Sequence, residues 1–325
     1  MTLPLVVSMG CPAGIGPEVA VRALAAWRAR ALLVGDARLI ESTAARLGVS
    51  LSHVEIVQPT ASLKAAARRP GRPTPEGGAA QLAWIDEALA LVVSGRASAL
   101  VTGPVSKEAI ATSGAPGAAS FRGHTEHLAA SVGAAEVVMA FWSARLTTAL
   151  VTTHLPLSRV PRAITPARVA AATFHLARLL ERLGHVCPRV AVAGLNPHAG
   201  EGGLLGDEET RRIEPGVRAA EARLHRAGCS ARLVGPLGAE TAFRLGASGT
   251  FDGVVAQYHD QATIPMKLLG FGDAVNVTLG LPIVRTSVDH GTGYDVAGRW
   301  TADPSGMRLA LRLAARLAKA GAAPA

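Results

Sequence analysis

The chain has 325 residues, 49% of them hydrophobic, enough for a sizeable core in one large domain or two ordinary ones. No apolar run approaches the roughly 18–20 residues of a membrane span, and "MTLPLVVSMG" lacks both the basic start and the apolar length of a signal peptide, so a cytoplasmic protein with no membrane partner is expected. The net charge of +9 rests mainly on arginine, Lys64, Lys107, Lys267 and Lys319 being the only lysines, and with 4% aromatic residues the chain has too few rings for base-stacking platforms, so no nucleic-acid partner is expected.

In chain order, the runs that read as strands are "PLVVSM", "ALLVG", "SALVT", "VVMAF", "LTTALVTT", "RVAVAGL", "ARLVG", "GVVAQ" and "AVNVTL". Helical patterns fall between many of them, at 17–30, 77–94, 166–183 and 211–227. This alternation predicts an α/β fold with a largely parallel sheet covered on both faces. "QPTASLKAAARRPGRPTPEGG" reads mostly as loop, and "ATSGAPGAAS", ending at Ser120, is the better candidate for a domain boundary. The C-terminal "GMRLALRLAARLAKAG" predicts a packed helix, with Leu309, Leu313 and Leu317 on its inner face and Arg308, Arg312 and Arg316 in solvent.

The chemistry-bearing motifs also follow chain order. "GCPAGIGPEVA" sets Gly10, Gly14 and Gly16 after the first strand, with Pro17 at a helix start; it is neither G-x-G-x-x-G nor a P-loop, and a tight strand-to-helix turn explains it. "GHTEH" offers His124 and Thr125 where a helix begins, which suits an anion site or, more simply, a Thr125 cap. Three strand-like runs then end alike: "LTTALVTTH" in His154, "RVAVAGLNPH" in His198 and "FDGVVAQYH" in His259. Ligands of open α/β sheets sit beyond the carboxyl ends of the strands, and three neutral imidazoles there suit a divalent metal with positions left for substrate. Asp260 could orient one of these ligands or cap a helix. Further on, Lys267, Asn276 and Arg285 supply two cations and an amide, the donors that a phosphate or carboxylate needs. Cys11, Cys187 and Cys229 are odd in number and far apart, without C-x-x-C, which argues against a disulfide framework or zinc knuckle.

"PAGIGPE", "TGPVSK", "GHTE", "TTHLPL", "LNPHAGEGG", "YHDQ", "VNVTLGLP", "RTSVDHGT" and "DVAGR", in this order, resemble the 4-hydroxythreonine-4-phosphate dehydrogenases of vitamin B6 biosynthesis. The resemblance implies an isocitrate/isopropylmalate dehydrogenase-like fold, two α/β/α lobes around a central cleft, here 1–122 with 286–325 as the lobe with the cofactor loop and 123–285 as the lobe with the metal ligands and dimer interface. It implies a divalent ion (zinc, magnesium or cobalt) on His154, His198 and His259, and substrate contacts from His124, Thr125, Lys267, Asn276 and Arg285. Homodimers with the active site at the interface are implied too, one metal histidine coming from the partner chain. "HGTGYDVAG" is similar to the segment that binds the adenosine part of NAD or NADP, which points to His290, Gly291 and Asp295.

The implied reaction is NAD(P)-dependent oxidation and decarboxylation of 4-phosphooxy-L-threonine to 3-amino-2-oxopropyl phosphate; the sequence names no general base. Cys11, His127, Gly293, Tyr294 and Trp300 depart from the family pattern and leave open a related dehydrogenase for threonate or erythronate phosphate or an aromatic dihydrodiol dicarboxylate. A metallohydrolase would also use three histidines but has no use for "HGTGYDVAG".

Overall fold

The computed structural model describes residues 3–270 and 272–321. Its strands in chain order are β1 (Leu5–Ser8), β2 (Ala31–Val34), β3 (Val54–Val57), β4 (Ala99–Thr102), β5 (Val138–Trp142), β6 (Thr147–Leu150), β7 (Arg189–Ala193), β8 (Arg232–Leu237), β9 (Gly253–Ala256), β10 (Val275–Leu279) and β11 (Arg285–Val288). The chain forms two compact units, Met1–Ala134 with Leu281–Ala325, and Ala135–Gly280.

In the first unit the strand order is β3-β2-β1-β4-β11, all parallel. β1, β2 and β4 are buried along their whole length, as expected where helices cover both faces of a parallel sheet. Several of the helices have side-chain caps that the sequence supplies directly, Asp36, Thr74 and Ser106 among them. Asp36 accepts from Leu39 N at 2.7 Å to start the helix Ala37–Leu47, and Gly48 ends it at φ +63°. Thr74 accepts from Gly77 N at 3.1 Å ahead of Pro75, the first residue of Pro75–Val93. That helix buries Trp84 and Ile85 completely. In the helix Ser305–Lys319, Leu313 and Leu317 are buried while Arg308, Arg312 and Arg316 stay in solvent.

In the second unit the order is β10-β5-β6-β9-β7-β8. β10, β5 and β6 are joined by antiparallel pairings, and β6, β9, β7 and β8 run parallel. The core there gathers Phe141, Leu146, Leu150, Val254 and Met266. Among the described residues no helix is long and apolar enough to cross a membrane.

Two strands escape the sequence reading. β3 is a short strand at the end of the order, with no residue fully buried. β11, "RTSV", looks polar yet is fully buried, because its side chains have partners: Thr286 Oγ1 donates to Ala310 O at 3.0 Å and Ser287 Oγ to Thr102 O at 3.2 Å. The division between units also falls later than "ATSGAPGAAS". Residues 123–134 go with the first unit because Leu128 is buried and His127 Nε2 donates to Asp86 Oδ1 at 2.6 Å. Residues 281–285 join it because β11 pairs with β4. Thr125 does not cap its helix; Gly123 is the N-cap residue of His124–Ser131, without a side-chain cap.

Candidate functional site

The three strand-end histidines share one physical cause in the second unit. β6, β9 and β7 are adjacent and parallel, so their carboxyl ends lie on one edge. His154, His259 and His198 follow those ends by four, three and five residues. The rings of His154 and His259 lie with centroids 5.5 Å apart, tilted by 43°. His259 Nδ1 donates to Asp260 Oδ1 at 2.7 Å, which fixes the tautomer and leaves Nε2 with its lone pair free to bind an ion. His198 is exposed at the start of the turn after β7. Among the described residues no group of three or more His, Cys, Asp or Glu side chains is arranged to hold a metal ion, so within one chain His198 does not complete the pair.

Glutamines that the sequence reading passed over lock these strand ends together. Gln257, fully buried, donates from Nε2 to Ala193 O at 2.7 Å, and Gln261 Nε2 donates to Gly194 O at 2.9 Å. Thr152 Oγ1 donates to Gln257 O at 2.7 Å. Each bond ties the end of one strand to the end of a neighbour, giving the histidines a stiff platform.

In the first unit, His124 opens the helix His124–Ser131. Its Nε2 is buried without a hydrogen-bond partner, an unusual state for an imidazole nitrogen. Burial, and then the charges of Arg285, His127 and Lys107, push its pKa well below the ordinary histidine range, so the ring is neutral at physiological pH. Arg285, 4% exposed on β11, donates from Nε and Nη2 to Thr102 Oγ1 at 3.2 and 2.7 Å. Burial lowers its pKa to about 10, with Glu126 opposing, so it stays charged at neutral pH. Lys107 and Glu126 line the same corner: a Cβ on Gly123 would meet Glu126 Oε2 at 2.9 Å and Lys107 Nζ at 3.6 Å. A neutral imidazole beside two cations at a helix start is an arrangement that receives an anion. Lys267 and Asn276 belong to the second unit, Lys267 exposed on the helix His259–Leu269 and Asn276 half-buried on β10.

Residues 289–304, which carry His290, Gly291 and Asp295, form neither helix nor strand. His290 and Asp295 are exposed, and His290 Nδ1 donates to Gly291 O at 3.0 Å. The segment is held instead by the first turn and helix. Ile15 N donates to Thr292 O at 2.8 Å, Arg22 Nη2 to Trp300 O at 2.7 Å, and Ala302 N to the buried Glu18 Oε1 at 3.0 Å. Gly14 is required here, since a Cβ would lie 2.5 Å from Thr292 O. Two departures from the family pattern meet: Cys11 Sγ and Tyr294 OH are 3.3 Å apart. Burial raises the pKa of both, that of Tyr294 to about 12, so this is a contact between neutral groups at physiological pH. His127, another departure, pairs with Asp86 and packs against the Phe121 ring at 5.4 Å between centroids.

Comparison with known proteins leads to the same family as the motifs. The family model described as "Pyridoxal phosphate biosynthetic protein PdxA" matches residues 27–314. A 4-hydroxythreonine-4-phosphate dehydrogenase of Geobacter metallireducens is 44% identical over 333 residues, covering 97% of this chain and 95% of its own length. The crystal structure of 4-hydroxythreonine-4-phosphate dehydrogenase from Klebsiella pneumoniae superposes with a TM-score of 0.81 at 34% identity, over 98% of this chain and 100% of that one. The terephthalate 1,2-cis-dihydrodiol dehydrogenase of Burkholderia xenovorans LB400 is similar as well, at a TM-score of 0.68 and 31% identity over 97% of this chain and 98% of its own. The chain belongs to the family of the pyridoxal phosphate biosynthetic protein PdxA.

Proposed function

We propose that the protein oxidises and decarboxylates 4-phosphooxy-L-threonine to 3-amino-2-oxopropyl phosphate with NAD or NADP as hydride acceptor, in the biosynthesis of pyridoxal 5'-phosphate. The observation that carries this reading is the paired His154 and His259 at parallel strand ends, with Asp260 fixing one tautomer, in a chain of this family. His154, His198 and His259 would hold one divalent ion (zinc, magnesium or cobalt), which when bound lowers the pKa of the substrate's secondary hydroxyl and stabilises the charge that develops as carbon dioxide leaves. Hydride transfer from that carbon to NAD(P), with loss of the hydroxyl proton, gives a β-keto acid; its carboxylate departs as carbon dioxide, and the α-carbon that keeps the electron pair takes up a proton.

The remaining roles fall to the chain's own groups. Arg285 and Lys267 neutralise the phosphate, the first as a rigid buried fork and the second as a mobile point charge. Neutral His124 offers an unpartnered ring nitrogen, Thr125 a hydroxyl and Asn276 an amide. His290, Gly291 and Asp295 sit on a segment pinned by backbone bonds, as a cofactor loop must be, and Asp295 is exposed, free to accept from a ribose hydroxyl.

The working form is a homodimer whose interface completes the metal site. Support comes from apolar side chains left in solvent on the segments that follow each of the three histidines: Leu157 at 68% exposure, Leu204 at 84%, Ile264 at 58% and Leu268 at 82%. The protein works in the cytoplasm.

A second reading, oxidation of an aromatic dihydrodiol dicarboxylate, is favoured only by the similarity to the Burkholderia xenovorans enzyme. A substrate panel separates them. The kcat/KM for 4-phosphooxy-L-threonine is expected to exceed that for threonate phosphate, erythronate phosphate and a terephthalate dihydrodiol by at least about a hundredfold, since analogues that leave buried donors unpaired lose more than that. A higher value for any of the others reassigns the substrate.

A further inference from the structure

The turn after β7 winds the wrong way. His198, Ala199, Gly200, Glu201 and Gly202 all have left-handed backbone angles, with φ of +53°, +53°, +80°, +44° and +67°. Three of these five carry side chains, for which this conformation is disfavoured even singly and rarely repeats. Something must hold the turn wound, and the side chain placed to do so is Glu209.

Glu209 is 2% exposed and opens the π-helical turn Glu209–Ile213. Its Oε1 accepts from Leu195 N and Asn196 N, both at 2.8 Å, and its Oε2 from Asn196 Nδ2 at 2.9 Å. Asn196 Nδ2 donates also to Glu208 Oε2 at 2.8 Å. The turn closes around this carboxylate. A Cβ on Gly194 would lie 3.1 Å from Glu209 Oε1, and one on Gly200 2.8 Å from Oε2. A charged acceptor thus takes the backbone donors of the two residues that lead into the turn, so the angle at which the chain leaves β7 is set by a group eleven residues downstream of His198.

We propose that Glu209 is a positioning residue: its buried carboxylate holds the left-handed turn and thereby aims the His198 imidazole. This rests on the reading of His198 as a metal ligand. A strained backbone held by a buried charge fixes the direction of a ligand more closely than a relaxed loop would.

The test is titration of the metal-free full-length protein with Co²⁺ alone, followed by the d–d absorption band and by calorimetry, for wild type, Glu209→Gln, Asn196→Ala and His198→Ala. Glu209→Gln keeps the shape but turns an amide donor toward a donor of Asn196. Asn196→Ala removes only the side-chain bonds and serves where Glu209→Gln does not fold. Both are expected to weaken Co²⁺ binding at least tenfold and to shift the band toward that of His198→Ala. Folded variants with wild-type affinity and band, whatever their melting temperature, would overturn the role of Glu209 while leaving the metal site standing. Wild-type protein that binds no Co²⁺, or His198→Ala that binds it as wild type does, would overturn the metal reading and the positioning role together.

Discussion

Burial decides what His124 can do. Its imidazole is neutral because charging it inside the fold, beside Arg285, Lys107 and His127, costs more than charging it in water. A histidine whose folded pKa is depressed stabilises the fold above its unfolded pKa, about 6.5, and that contribution is lost as pH falls toward the folded value. Wild-type stability in urea is therefore expected to fall between about pH 6.5 and 5 more steeply than that of His124→Gln, the difference being up to about 1.4 kcal/mol per pH unit. Parallel curves for the two proteins would refute the depressed pKa. At this scale the sequence announces the histidines, since imidazoles at strand ends stand out from an apolar run. It conceals the contacts that hold the site segments in place. Cys11 and Tyr294 are 283 positions apart, and Gln257, Lys107 and Glu209 are ordinary polar residues until the fold buries them or brings them together.

Among the elements, the parallel strands were legible because β1, β2, β4 and β9 are buried end to end and so written mostly in apolar residues. β11 was not, because Arg285, Thr286 and Ser287 are buried by pairing rather than by hydrophobicity. The left-handed turn was visible only as a crowd of glycines, and its hand is a tertiary property imposed by Glu209. Two of those glycines separate backbone strain from crowding. A Cβ on Gly202 would meet nothing within 4 Å, so Gly202→Ala is expected to cost only the left-handed penalty, about 1–2 kcal/mol. Gly200→Ala adds a clash with Glu209 Oε2 and Gly206 O and is expected to cost about 1–3 kcal/mol more. Equal losses in urea melts would mean that the carboxylate yields freely and does not hold the turn.

For the whole molecule, the alternation of strands and helices in the sequence was enough to give an α/β fold, whereas the boundary between units was not where the Gly/Ala-rich stretch placed it. Loop composition marks a flexible connection, but the packing of Leu128 and the β4–β11 pairing decide which side each segment joins. A site completed between two copies has a direct consequence. Co-refolded pairs of the inactive His154→Ala, His198→Ala and His259→Ala variants should, for at least one pair, recover about a quarter of wild-type activity, because half the dimers are mixed and each mixed dimer regains one of two sites. No recovery in any pair would place all three ligands in one chain or remove the site. The central claim, a metal-dependent dehydrogenase of phosphorylated threonine, is tested most directly by following NADH or NADPH absorbance when the purified, metal-loaded protein meets 4-phosphooxy-L-threonine and NAD or NADP. Reduced cofactor should form, cease on addition of a chelator and return when the divalent ion is restored; no formation with either cofactor, or formation indifferent to the chelator, would contradict it.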